Sequence, residues 1–147
     1  MPESAARLTV VTLGVTDFAR SVKFYEALGF TRKMRATGDE IAFFDAGGVV
    51  LALWHWDKLA DDAGLPSAPR PDTFRGMTLA INCRTDEDVD AMLTHALRVG
   101  ARLLQSAHKT SYGGYCGYFA DPDGHPCEVV RAPGFAFAAD GKLLLPE

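Results

Sequence analysis

One carboxylate stands where neither a charge nor a helix cap is wanted. Glu128 lies in the apolar run PCEVV, just after the turn DPDGH. An ionised carboxylate without a partner costs several kcal/mol to bury, so this position faces water or something that uses the charge. In an apolar cleft a carboxylate acts as a general base or as the polar anchor of a ligand. Other groups that could do chemistry are scattered. His55 sits between Trp54 and Trp56, His95 falls in a helical stretch, His108 precedes a glycine-rich run, and His125 belongs to the DPDGH turn, where an exposed, turn-stabilising role is expected. No two of these have metal-ligand spacing. The cysteines, Cys83, Cys116 and Cys127, form no CxxC or Cys/His cluster and read as reduced, mostly buried small hydrophobes.

Strands and helices must position these groups, and they are written twice. LTVVTLGV is a short β-branched strand that runs into TDFARSVKFYEALGF, with Asp17 as N-cap, apolar residues at helical spacing and Gly29 as the stop. RKMRAT, EIAFFDA and VVLALWHW follow as three strands separated by turn signals. From residue 76 the order repeats. MTLAINC is a strand, and TDEDVDAMLTHALRVG is a helix capped by Thr85, apolar at Val89, Met92, Leu93, Ala96 and Leu97, and ended by Gly100. ARLLQSA, GGYCGYFAD and PCEVVRA supply three more strands. The two halves align with Val10, Val15 and Val22 opposite Met77, Asn82 and Val89.

The pattern predicts an α+β fold of two tandem βαβββ modules in one domain, over 7–56 and 76–131. Residues 57–75, rich in Pro, Asp and Ala, read as a linker without sustained period, and 132–147 as a terminal hairpin or tail. The 147 residues, 48% hydrophobic, suffice for a full core. A net charge of -4 with scattered basic residues argues against nucleic acid. No stretch reaches the ~20 apolar residues of a membrane span and no secretory signal opens the chain, so a cytoplasmic location is expected.

Paired βαβββ units containing GVTDFARSVKFYEALGF and closing with GYFADPDGHPCEVV resemble the vicinal oxygen chelate superfamily. These are the relatives of glyoxalase I, bleomycin-resistance proteins and extradiol dioxygenases, and the resemblance spans residues 7–131. It implies two curved sheets around a cleft, with metal ligands from the first and last strand of each module. Carried over by motif, those positions are Val10, Leu51, Met77 and Glu128, of which only Glu128 can hold a divalent ion. The family's metal is therefore not expected, and no other cofactor is implied. Metal-free members of this pattern sequester small molecules, frequently as homodimers. The expectation is thus a small apolar or aromatic ligand lined by Val10, Leu51, Trp54, His55, Met77, Tyr112, Tyr115 and Tyr118, with Glu128 as anchor. The alternatives are a metal-free lyase or isomerase using Glu128 as base and, less favoured, a metal-dependent lyase of the glyoxalase I kind.

Overall fold

A computed structural model describes residues 5–147. Two four-stranded sheets carry the chain. The first holds β1 (Val10–Val15), β4 (Val50–His55), β3 (Ile41–Asp45) and β2 (Thr31–Lys33), in that spatial order, with α1 (Phe18–Leu28) between β1 and β2. The second holds β5 (Leu79–Asn82), β8 (Pro126–Arg131), β7 (Tyr115–Ala120) and β6 (Arg102–Lys109), with α3 (Asp86–Arg98) between β5 and β6. In each sheet the first strand pairs parallel with the last, and the other pairings are antiparallel. This is the duplicated α+β architecture that the sequence pattern predicts.

Local chemistry sets the helix ends. The Asp17 side chain accepts from the Arg20 N–H and that of Thr85 from Asp88, which satisfies otherwise orphaned donors. Gly29 closes α1 at φ 123°, a conformation that costs glycine nothing. These caps correct the internal alignment by one residue. Matching Asp17 with Thr85, and the β1–β4 register with that of β5–β8, places Thr78 opposite Val10, so Met77 is out of register. Three further expectations change. RKMRAT is a strand only to Lys33 and then a 3-10 turn, Trp56 leaves the strand to open a helix, and that helix, α2 (Trp56–Asp62), runs from the last residue of the first module into the supposed linker. The last residues form a hairpin of β9 (Ala136–Phe137) and β10 (Leu143–Leu144), with the Arg84 guanidinium 4.4 Å from the Phe137 ring.

Both helix layers feed one core. Leu13, Val15, Phe44 and Leu53 meet Phe18, Tyr25 and Leu28 of α1, while Phe119 and Val129 meet Val89, Leu93 and Ala96 of α3. Phe24 and Phe119 join the halves edge to face at 6.4 Å. The polar junction is the DPDGH turn. Asp123, 0% exposed, accepts from the Thr16 N–H at 3.0 Å, the Thr16 hydroxyl at 2.6 Å and the Ser21 hydroxyl at 3.1 Å, so a turn of the second module holds the start of α1. Asp121 accepts from the Tyr25 phenol at 2.6 Å and from the backbone N–H groups of Asp123 and His125. Removing a buried, fully bonded carboxylate strands its donors. Asp123→Ala is expected to lower unfolding stability by about 3 kcal/mol in urea denaturation; a loss below about 1 kcal/mol would show that the turn does not hold the modules together.

Candidate functional site

Strand alternation decides which side chains share a face. In the second sheet, Cys127 and Val129 face α3 with Gly117 and Phe119, so Glu128 and Val130 face away, alongside their cross-strand partners Tyr118 and Cys116. The register continues across the sheet. Ala80, Glu128, Tyr118 and Gln105 form one row, and Asn82, Val130, Cys116 and His108 form the next.

Within the first row the Tyr118 hydroxyl donates to Glu128 Oε2 at 2.8 Å, and both side chains are half-buried. That bond, followed by burial and the carboxylate charge, pushes the Tyr118 phenol up to about 12. The phenol stays protonated at neutral pH and holds the carboxylate in place. Burial first, and then the Glu128 charge, also raises the Cys116 thiol, which is 4% exposed and poorly disposed to act as a nucleophile. Tyr118, Glu128 and their row make a polar strip with an anion at its centre. It can accept a proton or anchor a donor.

Several expected site residues lie elsewhere. Leu51 is 4% exposed and pairs with Val11 and Phe44 in the core against α1, not on the face that corresponds to Glu128. By register the matching position in β4 is Ala52, which is fully buried. His55 lies on the helix side as well, where it stacks on Phe18 at 5.1 Å and its Nε2 lies 2.8 Å from the Asp39 carbonyl oxygen. Tyr115 points toward α3 and donates to Asp90 at 2.7 Å. Tyr112 is in a turn, not a strand, and is exposed. Met77 precedes β5 and is also exposed. Val10 and Trp54 share the far face of the first sheet, opposite Val50 and opposite Gly14 and Ile41 respectively.

His125 is braced, contrary to the exposed role expected of it. Its Nε2 lies 2.7 Å from the Gly14 carbonyl oxygen and its Nδ1 lies 2.7 Å from Arg75 Nη1. A carbonyl requires a donor and a guanidinium an acceptor, so the ring is neutral with its proton on Nε2. Gln105, His108 and Cys116 were missed as far-face neighbours of Glu128. The signal was present for Cys116, two residues before Tyr118, but β6 changes register twice along its pairing with β7, which hides Gln105 and His108 from simple counting.

By register, Thr78 stands opposite Val10 and Ala52 opposite Glu128 in the two modules, and among the described residues no three His, Cys, Asp or Glu side chains are grouped to hold an ion.

Residues 7–129 match the family model of the Glyoxalase/Bleomycin resistance protein/Dioxygenase superfamily, and the chain belongs to that family. It is similar to the metallothiol transferase FosB of Lysinibacillus sphaericus, with 28% identity over 78% of this chain and 74% of that one. The FosB of Shouchella clausii is 29% identical over 81% and 75% respectively. Among solved structures, a glyoxalase-related enzyme from Fulvimarina pelagi is 34% identical, with a TM-score of 0.86 over 97% of this chain and 100% of that one.

The Tyr118 shift has a direct readout. Its folded-state pKa lies above the ordinary tyrosine value, so the stabilisation is complete below pH ~10 and is lost as pH rises through about 12. In ultraviolet titration, Glu128→Gln is expected to return one phenol toward the ordinary range. An unchanged tyrosine profile would contradict the pairing.

Proposed function

We propose that the protein binds a small, flat, apolar molecule against the far face of the second sheet, with the Glu128–Tyr118 pair as its polar anchor and without the metal ion of other family members. The observation that carries this reading is the bond between Tyr118 and Glu128, at a carboxylate that is not grouped with two further His, Cys, Asp or Glu side chains among the described residues. Tyr118 offers a ring for stacking, while Glu128 accepts a hydrogen bond from an amine or hydroxyl of the ligand.

A second reading is a metal-free lyase or isomerase. The same geometry favours it, because a carboxylate held by a phenol that stays protonated can take a proton from a substrate carbon and return it to a neighbouring one. The transferase activity in the name of the two FosB relatives is the rival. A metal-dependent version of it needs donors beyond Glu128, and Val10, Ala52 and Thr78 offer no strong one.

A thermal-shift screen of flat aromatic amines and phenols tests the proposal. Ligands that raise the melting temperature are expected to bind about tenfold or more weakly to Glu128→Gln, the worth of one hydrogen bond to a charged group. Binding that is indifferent to both Glu128→Gln and Tyr118→Phe would place the site elsewhere. Turnover lost in Glu128→Gln would favour the lyase or isomerase.

A further inference from the structure

The internal repeat gives the modules a second junction, and its residues differ from those of the DPDGH junction. The five residues Asp121–His125 between β7 and β8 have as counterpart the four residues 46–49 between β3 and β4, Ala-Gly-Gly-Val, which carry no polar side chain. The Asp45 carboxylate just before them accepts only locally, from the Gly47 N–H at 3.0 Å. With Asp17 matched to Thr85, the donors Ser21 and Tyr25 correspond to Val89 and Leu93, which are apolar. Neither half of the carboxylate latch is repeated. In its place a cavity of about 750 Å³ opens between this turn, β5, the end of α1 and the terminal hairpin, within the usual range for small-molecule sites.

Its walls are mainly hydrocarbon. Val11, Phe30, Leu79 and Met92 pack on the core yet stay half-buried, and they line this space together with Phe137 and Leu143 of the hairpin. The polar side chains there are largely spent. The Tyr25 phenol donates to Asp121, both nitrogens of His125 are engaged, and the Cys127 thiol, pushed up to about 12 chiefly by burial, donates to the Glu128 carbonyl oxygen. Lys142 is the one charged residue in the lining, and it is exposed and paired with Asp140 at 3.3 Å. Asn82 is the remaining polar residue. Such walls hold water poorly, and an apolar molecule entering them leaves water itself and covers them. The hairpin decides the size of the occupant. β9 and β10 pair only with each other, and the hairpin bears on the protein through the Phe137 ring at Arg84 and the Lys142 stem against Gly48. It is light enough to lift for a small molecule, and where it lies it denies the cavity to a protein face.

We propose that this cavity binds an uncharged, mainly hydrocarbon small molecule, held between β5 and the end of α1 with the terminal hairpin closed over it. The absence of a free charge in the walls selects against ions, and the hydrocarbon lining supplies the affinity. This site is independent of the Glu128 reading, because Glu128 is not in the lining and the ligand needs no donor.

Fluorescence titration of the full chain with prodan, a neutral naphthalene ketone without a hydrogen-bond donor, tests it. Blue-shifted emission saturating at one prodan per chain is expected. In unaltered protein labelled at the methionine methyls, the Met92 resonance should shift on adding prodan, while that of Met77, outside this cavity, should stay. Leu143→Trp, which adds bulk from the surface hairpin, is expected to weaken binding about tenfold or more, and Glu128→Gln to leave it unchanged. Failure of prodan to bind, a shift at Met77 in place of Met92, indifference to Leu143→Trp, or binding lost in Glu128→Gln would each overturn the assignment. So would self-association that prodan reverses in sedimentation, which would make a second copy of the chain the occupant.

Discussion

Two buried carboxylates in one five-residue turn hold the two halves of this protein in register. Asp121 and Asp123 belong to the second module, yet the donors they satisfy include Thr16, Ser21 and Tyr25 of the first. A carboxylate at 0% exposure is tolerable only when fully bonded, and that requirement fixes where the start of α1 must lie. Tyr25, buried and bonded to Asp121, keeps its proton far above the ordinary tyrosine range, first through burial and then through the Asp121 charge, so the contact persists as a neutral donor to an anion. His125, the last residue of the turn, extends the same junction to the Gly14 carbonyl of β1.

From this junction the position of the Glu128 site follows. The chain leaving the turn enters β8 with Cys127 and Val129 committed to the core, and Glu128 is thereby turned to the opposite face beside Tyr118. On the other side of the turn, His125 and the Asp123 carbonyl hold Arg75.

Much of the fold was legible in the sequence because its signals are local. Caps at Asp17 and Thr85, the stop at Gly29 and the period-2 strands needed no tertiary information. Glu128 was legible for the complementary reason that it violates the apolar pattern around it. What failed depended on register. The alignment of the two halves slid by one position, which substituted Met77 for Thr78, and the motif carry-over was likewise one residue out in β4, where a single step exchanges the two faces and put Leu51 where Ala52 stands. Tyr112 and Tyr115 were grouped with Tyr118 by proximity in sequence, although the turn removes the first and alternation the second. Helix α2 escaped notice because its seven residues are too few to establish a period.

The central claim is that Glu128 serves ligand recognition with Tyr118 and not a metal ion. Elemental analysis of protein purified without chelator, after incubation with Zn(II), Ni(II), Mn(II) or Fe(II), tests it most directly. The account predicts no stoichiometric ion, in the unaltered protein or in Glu128→Ala. One ion per chain, lost in Glu128→Ala, would contradict it.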